Sequence, residues 1–314
     1  MKMLFMLRDA FIEANPKLLE NAGTLGEAKV LFTDQGIAKE QLKREVADVD
    51  VIVVAVVKID SEIIDAAPNL KYIMKFGSGF DNIDHIYARE KGIPVTNVPG
   101  QNTEAVADYA FGLMITAARH ITRKDREIKS SHWELSMGHE IFNKRLGIIG
   151  FGNIGKAIAR RAAGFNMEIN AYGNHKDYDA ATRLNVNFME LDELFQTSDL
   201  IIICTNLNET NRKMVNPDTL KLMKPTAILI NISRGGLIDE EALTEALKNN
   251  RIGAAGLDVF AEEPTKSELA GLPNVIATPH IGGATYEAIT RIGDVAFENL
   301  KRFGEGMELK HLVN

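Results

Sequence analysis

The chain has 314 residues, 45% hydrophobic and 25% charged, which is ordinary for a globular protein of one large domain or two smaller ones. Its net charge of −7 and its lack of a long basic run argue against a nucleic-acid-binding surface. The single cysteine, Cys204, excludes a disulfide within the chain. No apolar run approaches a membrane span, and the opening Met1–Leu7 is too short for a secretory signal, so we expect a cytoplasmic enzyme.

Short apolar runs alternate with helical patterns in roughly the first hundred residues. Helices are predicted between the runs, for example at Ser61–Ala66 and Asn82–Lys91. Such alternation is typical of βαβ units, so we predict a parallel sheet. Its predicted strands are Met3–Leu7, Ala28–Phe32, Val51–Val56, Lys71–Lys75 and Pro94–Asn97.

A long helix that is apolar nearly all round is predicted from Asn102 to about Ala118. A helix without a polar face is buried on most sides, so it should lie between domains, between subunits, or both. The polar stretch from Arg119 to Glu140 holds the only tryptophan, Trp133. We predict a helix and a loop there, crossing between domains.

The stretch Gly150–Gly155 joins a short apolar strand, Leu146–Ile149, to a helical pattern. Gly150 permits a tight turn, Gly152 lets the backbone approach a phosphate, and Gly155 lets the helix lie close to the strand. The first amides of the helix lack internal partners and point toward a bound anion. The stretch therefore predicts a dinucleotide site. The alternative is a glycine-rich turn in another kind of α/β protein.

The second half of the chain repeats the alternation. Helix starts are predicted at Asn216-Pro217 and at Asp239. The last helix, Thr285 to Phe303, follows a complete second sheet, so we expect it to return the chain to the first domain. Further strands are predicted at Glu168–Tyr172, Leu200–Cys204, Thr226–Ile232, Gly253–Leu257 and Val275–Thr278.

Polar side chains follow three successive strands of this second half. Arg234 follows one strand, the carboxylates Asp258, Glu262 and Glu263 follow the next, and His280 follows the last. Open parallel sheets bind ligands at this edge, where an arginine suits bidentate capture of a carboxylate. Together these residues suggest proton transfer beside hydride transfer: His280 would be the acid–base, Glu263 would orient it, and Arg234 would hold the substrate and polarise its carbonyl. The alternatives are a surface arginine and a structural histidine.

Six motifs, in order along essentially the whole chain, resemble those of the D-isomer-specific 2-hydroxyacid dehydrogenases. They are Gly77-Ser-Gly-Phe-Asp-Asn-Ile-Asp84, Asn97-Val-Pro-Gly-x-Asn-Thr-Glu104, Gly150-x-Gly-x-x-Gly155, Asn231-Ile-Ser-Arg-Gly-Gly236, Leu257-Asp-Val-Phe-x-x-Glu-Pro264 and Pro279-His-Ile-Gly-Gly283. The resemblance is to phosphoglycerate dehydrogenase-like or glyoxylate–hydroxypyruvate reductase-like members. It implies an NAD(P)-dependent oxidoreductase that interconverts a D-2-hydroxyacid and its 2-oxoacid, and a homodimer.

The fold that the resemblance implies is α/β, with two doubly wound parallel-sheet domains. A Rossmann cofactor domain, residues 101–285, is inserted into a flavodoxin-like substrate domain, residues 1–100 and 286–314. Arg234, Glu263 and His280 are the implied catalytic residues. Arg234 and His280 also touch the substrate, whose carboxylate would meet the backbone amides of Ser78 and Gly79. The residues expected at the cofactor are Gly150, Gly152, Asn153, Ile154, Gly155, Asn174, His175, Lys176, Thr205, Ile232, Asp258, Gly282 and Gly283, with Asp258 near the nicotinamide.

The chain departs from NAD-dependent members at the end of the second Rossmann strand. Those members usually have an acidic residue there for the ribose hydroxyls, whereas this chain has Gly173, followed by Asn174-His-Lys176. The acid that would repel a 2′-phosphate is missing and basic partners are present. We therefore favour NADP or dual use over NAD. NAD binding through the ribose diol without an acid is the alternative.

A second departure concerns the substrate. Phosphoglycerate dehydrogenases typically carry an arginine in the third substrate-domain strand, where this chain has Val54, and Glu134–Gly138 also lacks the expected basic residues. We therefore prefer a 2-oxoacid with a small or apolar side chain as the substrate, with phosphoglycerate as the closest alternative.

An alternative function from another class is a dinucleotide-sensing binding protein, like the C-terminal-binding co-repressors. Formate dehydrogenase is disfavoured because it pairs its histidine with glutamine, and no histidine spacing suggests a metal site.

Overall fold

The computed structural model describes all 314 residues of the chain and divides them into two compact units. The first unit comprises residues 1–102 and 283–314, and the second comprises residues 103–282. The second unit is therefore an insertion within the sequence of the first. No helix is both long and apolar enough to span a membrane.

A five-stranded parallel sheet forms the centre of the first unit, in the order β2-β1-β3-β4-β5. This is the flavodoxin-like order that the sequence predicted. The strands are β1 Lys2–Leu7, β2 Glu27–Phe32, β3 Val51–Val54, β4 Tyr72–Lys75 and β5 Val95–Thr96. Helices are α1 Asp9–Ala14, α2 Lys17–Gly23, α3 Lys39–Val46, α4 Ser61–Asp65, α5 His85–Glu90 and the last helix of the chain, Tyr286–Gly304.

Both faces of this sheet are buried. Leu4 and Met6 of β1 lie in one apolar cluster, and Met3, Phe5 and Leu7 lie in the cluster on the opposite face. Successive side chains of a strand point to opposite faces, so a strand covered on both sides becomes a continuous apolar run. This is why the strands were recognisable from the sequence.

One predicted helix, Asn82–Lys91, begins later than expected. It starts at His85 because the side chain of Asp84 accepts a hydrogen bond from the amide of Tyr87 at 3.0 Å and caps the first turn. Asn82 lies before the helix, and its side chain bonds the carbonyl oxygen of Val57 instead.

The second unit contains a seven-stranded parallel sheet in the order β12-β11-β10-β9-β6-β7-β8. Its strands are β6 Arg145–Ile149, β7 Glu168–Tyr172, β8 Val186–Phe188, β9 Leu200–Ile203, β10 Ile228–Asn231, β11 Ala254–Leu257 and β12 Val275–Ala277. The order reverses at β6, as in a Rossmann sheet. Strand β8 was not predicted, because it is only three residues long and buries only Val186.

The helices of the second unit are α6 Thr103–Arg119, α7 Ile121–Lys129, α8 Asn153–Ala163, α9 Tyr178–Leu184, α10 Leu191–Thr197, α11 Pro217–Leu222 and α12 Glu240–Lys248, with short 3-10 turns at Gly235–Leu237 and Glu268–Gly271. The long helix α6 buries nine residues, in keeping with its apolar surface. Arg161 of α8 pairs with Asp108 of α6 at 2.6 Å. The predicted caps at Asn216 and Asp239 are present.

Candidate active site

The edge formed by the carboxyl ends of β10, β11 and β12 carries the polar side chains that the sequence singled out. These three strands are neighbours in the sheet, so the segments that follow them emerge side by side. Arg234 lies just beyond β10, Asp258 directly follows β11, and His280 lies just beyond β12.

His280 and Glu263 are brought together at this edge. Nδ1 of His280 lies 2.9 Å from Oε2 of Glu263, and about 30% of each side chain is exposed. The other carboxylate oxygen of Glu263 accepts a hydrogen bond from the amide of Phe260 at 3.2 Å. Because Glu263 engages Nδ1, it fixes the imidazole orientation, and proton exchange with a ligand falls to Nε2. Glu262 is exposed on the same loop and does not pair with His280.

The backbone around Arg234 is fixed by a buried asparagine at the end of β10. Asn231 is fully buried, donates from Nδ2 to the carbonyl oxygen of Arg234 at 2.9 Å, and accepts from the amide of Ser233 at 3.0 Å. A Cβ atom on Gly235 would overlap the backbone of Phe260, so this glycine lets the two loops pack against each other. The guanidinium of Arg234 donates from Nη1 to the carbonyl oxygen of Ser233 at 2.7 Å.

Asp258 is buried beneath the segment that carries His280. Its Oδ1 accepts from the hydroxyl of Thr278 at 2.7 Å and from the amide of Ile281 at 2.9 Å, and its Oδ2 accepts from the amide of Gly282 at 2.7 Å. Burial raises the pKa of the Asp258 carboxyl, while these hydrogen bonds favour its charged form. His280 has φ of 56°, an uncommon backbone conformation for a residue other than glycine.

The glycine turn after β6 has the geometry predicted for a dinucleotide site. Gly150 has φ of 105°, and a Cβ atom there would lie 2.7 Å from the carbonyl oxygen of Cys204. A Cβ atom on Gly155 would overlap the carbonyl oxygen of Gly150, so the helix lies close to the turn. Nothing lies within 4 Å of the position that a Cβ atom on Gly152 would take, at the cap of α8. The amino end of α8 is therefore open to an anion. The next two residues, Asn153 and Ile154, open this helix.

The single cysteine lies against this turn. The thiol of Cys204 donates to the carbonyl oxygen of Gly150 at 2.9 Å, and burial raises the pKa of the thiol to about 12. Thr205 follows, and its carbonyl oxygen accepts a hydrogen bond of 2.6 Å from the hydroxyl of Ser233. Ile232 is 9% exposed at the end of the neighbouring strand.

The end of β7 lacks a carboxylate and exposes a basic residue. Gly173 follows the strand directly, and Asn174, His175 and Lys176 are all exposed. Lys176 lies 3.8 Å from Glu190. A Cβ atom on Gly173 would have no neighbour closer than 3.6 Å, so the site has room for a side chain.

Ser78 and Gly79 belong to the first unit, in the loop after β4. The carbonyl oxygen of Ser78 accepts from Nδ2 of Asn97 at 2.6 Å. Neither backbone amide, of Ser78 or of Gly79, donates a hydrogen bond to an acceptor in the chain. Gly282 belongs to the second unit and Gly283 to the first.

Sequence reasoning missed the side-chain bonds of Asn231 and Asp258. Asn231 is the polar residue that ends an otherwise apolar run, and a buried polar side chain requires hydrogen-bond partners. That signal was present in the sequence. The partners themselves were not, because they are backbone groups of loops.

The comparison with protein families decides the relationship. The model described as "D-isomer specific 2-hydroxyacid dehydrogenase, NAD binding domain" matches residues 111–282, which carry the glycine turn and the three strand ends. The chain belongs to the D-isomer specific 2-hydroxyacid dehydrogenase family.

Individual relatives cover nearly the whole of this dehydrogenase. It is 42% identical to glyoxylate reductase of Pyrococcus furiosus over 92% of this chain and 89% of the relative. It is 44% identical to hydroxypyruvate reductase of Thermotoga maritima over 86% of this chain and 89% of the relative. D-lactate dehydrogenase of Aquifex aeolicus, solved with NAD and lactic acid, superimposes with a TM-score of 0.84 at 28% identity, covering 97% of this chain and 96% of that one.

These findings establish the reaction class. This dehydrogenase is an NAD(P)-dependent oxidoreductase that interconverts a 2-hydroxyacid and the corresponding 2-oxoacid. Among the readings that the sequence left open, the comparisons favour this one over a phosphoglycerate dehydrogenase and over a binding protein.

Proposed function

We propose that this dehydrogenase reduces a small 2-oxoacid of the glyoxylate or hydroxypyruvate class, with Arg234, Glu263 and His280 as its catalytic residues. The observation that carries the proposal is the 2.9 Å pair of His280 and Glu263, because a carboxylate-oriented imidazolium is a proton donor suited to a forming alkoxide. The names of the curated relatives support the substrate class.

In the proposed reduction, the backbone amides of Ser78 and Gly79 bind the substrate carboxylate and Arg234 holds and polarises the substrate. A bound nicotinamide cofactor would supply the hydride that reduces C2. Nε2 of His280 would give its proton to the oxygen of the former carbonyl. A cationic donor placed where negative charge develops stabilises the transition state more than the ground state. Glu263 holds the imidazole in place throughout.

A 2-oxoacid with a small or apolar side chain fits this chain better than a phosphorylated one. Val54, at the position where the resembling phosphoglycerate dehydrogenases have an arginine, is fully buried in β3 and offers no charge to a phosphate. Phosphoglycerate oxidation is therefore the reaction that a substrate screen must exclude.

The deciding experiment is a spectrophotometric screen. Oxidation of reduced cofactor would be followed with glyoxylate, hydroxypyruvate, pyruvate, and branched and aromatic 2-oxoacids, and 3-phosphoglycerate would be tested in the oxidative direction. We expect the highest kcat/KM with glyoxylate or hydroxypyruvate. Preference for 3-phosphoglycerate, or cofactor binding without turnover, contradicts the proposal.

We further propose that the cofactor site accepts NADPH at least as well as NADH. The glycine turn and the amino end of α8 would bind the pyrophosphate of the cofactor. The adenosine ribose would lie against Asn174, His175 and Lys176. An acid after β7 would repel a 2′-phosphate, and Gly173 supplies none. Asp258 would lie on the nicotinamide side. Thr205, Ile232, Gly282 and Gly283 would line other parts of the cofactor site.

The space beside Gly173 allows a direct test of cofactor choice. A Gly173→Asp variant should fit, and its carboxylate should reduce kcat/KM with NADPH about tenfold or more while sparing or improving NADH. Steady-state kinetics with both cofactors measure this. A wild-type enzyme that strongly prefers NADH contradicts the proposal that NADPH is accepted at least as well.

We also propose a homodimer located in the cytoplasm. The segment after α7 exposes three large apolar side chains at alternate positions: Trp133 is 89%, Leu135 is 93% and Met137 is 82% exposed. An apolar strip of this kind is typical of a contact surface. Sedimentation velocity should give a dimer, and Trp133→Ser with Leu135→Ser should weaken it. A monomeric wild type contradicts the proposal.

A further inference from the structure

A buried lysine lies beneath the loop that follows β4. Lys75, the last residue of the strand, is only 7% exposed. Its ammonium group donates to the carbonyl oxygen of Ala55 and, at 2.8 Å, to Oδ1 of Asn82. Burial of an ammonium group costs free energy, and hydrogen bonds offset only part of that cost. If the side chain served packing alone, an apolar residue at this position would give a more stable protein.

Two asparagines complete the support of this loop. Nδ2 of Asn82 also donates to the carbonyl oxygen of Val57 at 2.6 Å, and Nδ2 of Asn97 donates to the carbonyl oxygen of Ser78 at 2.6 Å. Asn97 is 8% exposed. We call Lys75, Asn82 and Asn97 the loop frame.

The loop frame holds the carbonyl side of the loop against the protein. The amide of Val98 donates to the carbonyl oxygen of Gly77 at 2.9 Å, next to the bond between Asn97 and Ser78. The amides of Ser78 and Gly79 have no acceptor in the chain. With its carbonyl groups anchored, the loop keeps these two amides available for an anion.

We propose that Lys75, with Asn82 and Asn97, positions the amides of Ser78 and Gly79 for the substrate carboxylate, and that the charge of Lys75 strengthens their attraction for it. This rests on the proposed role of those two amides. A buried charge acts on an anion at the loop through a medium of low effective dielectric and is little screened by salt. Lys75 is a positioning residue.

The test compares Lys75→Met with Lys71→Met. Methionine has similar length and no charge, and Lys71 is a matched control because its side chain is 66% exposed just before the same strand. Lys75→Met should raise KM for the 2-oxoacid about tenfold or more and weaken competitive inhibition by oxamate by the same factor. KM for the nicotinamide cofactor and the Tm should stay near those of wild type. Lys71→Met should change none of these.

A second variant, at Asn97, tests the same proposal if Lys75→Met does not fold. Asn97→Ala removes the donor to the carbonyl oxygen of Ser78 and should also raise KM for the 2-oxoacid and weaken oxamate inhibition, with an unchanged cofactor KM. Unchanged substrate KM and oxamate inhibition in the folded variants overturn the proposal. So does an equal loss of substrate and cofactor affinity with a lowered Tm, because that shows a merely structural role.

The experiment separates this inference from the proposed function. Gly79→Pro removes one of the two amides without touching the loop frame. An unchanged KM in Gly79→Pro contradicts the role of the amides, whereas an unchanged KM in Lys75→Met contradicts the role of the frame. A wild-type enzyme inactive on every 2-oxoacid contradicts the proposed substrate class.

Discussion

The carboxylate of Asp258 accepts a hydrogen bond of 2.7 Å from the backbone amide of Gly282. Its other oxygen holds the amide of Ile281, so one buried side chain fixes the segment directly after His280. The sequence resemblance placed Asp258 near the nicotinamide. The structure adds that the carboxylate anchors the loop of the proposed acid–base residue.

Asp258→Asn should change the pH dependence of stability. Burial raises the folded-state pKa of this carboxyl, so its protonated form favours the native state. That contribution is fully present below the unfolded pKa of about 4 and is lost as the pH rises through the folded pKa. The unfolding free energy of wild type minus that of the variant should therefore fall as the pH rises from about 4 and then level off. Urea unfolding across this range measures it, and a constant difference contradicts the raised pKa.

His280→Ala should lower kcat by about 100-fold or more, the usual scale for a positioned acid–base group. Cofactor binding should survive, because the glycine turn is elsewhere in the second unit. Steady-state kinetics and calorimetric titration with reduced cofactor measure the two quantities. An unchanged kcat removes His280 from the mechanism.

Glu263→Gln should lower kcat for reduction about tenfold or more. The variant replaces the carboxylate that lies 2.9 Å from Nδ1 of His280 by a neutral amide, which holds the imidazole less firmly in the orientation that presents Nε2. Steady-state kinetics with the 2-oxoacid measure the loss. Glu262→Gln is the matched control, since that neighbouring carboxylate does not pair with His280. Equal kcat values for wild type and Glu263→Gln rule out the role assigned to the pair.

Arg234→Lys should raise KM for the 2-oxoacid and lower kcat together. A lysine ammonium is a point charge and does not reproduce the planar fork of a guanidinium on a carboxylate. The cofactor KM should be spared. Kinetics of the variant that match those of wild type contradict the proposed contact between Arg234 and the substrate.

Cys204 should resist thiol reagents in the folded enzyme. The thiolate is the reactive form, and burial raises the pKa of this thiol to about 12, so little thiolate forms at pH 8. Reaction with a chromogenic disulfide should be slow in buffer and fast in concentrated urea. Fast modification of the folded protein at pH 8 would show that the thiol is accessible.

Most of the fold was predictable because its strands are covered on both faces. Such strands read as apolar runs, and β7 was predicted with the bounds that the structure shows. The short β8 was missed because its three residues have no strand pattern of their own, and the segment becomes a strand only by pairing with β7. The start of α5 was misplaced for a similar reason, since the capping bond of Asp84 decides it.

The sequence by itself determined that a dinucleotide turn opens an inserted domain and that an arginine, carboxylates and a histidine follow successive strands. These are local properties, because strand ends and glycine turns depend on residues close together in the chain. The sequence also named Glu263 as the partner of His280, and the structure gives the pair a distance of 2.9 Å. Only the tertiary structure decided that Asp258 anchors the histidine loop and that Lys75 is buried with its ammonium group on Ala55 and Asn82. Those relationships depend on hydrogen bonds between segments far apart in sequence, which form only when the sheets have assembled.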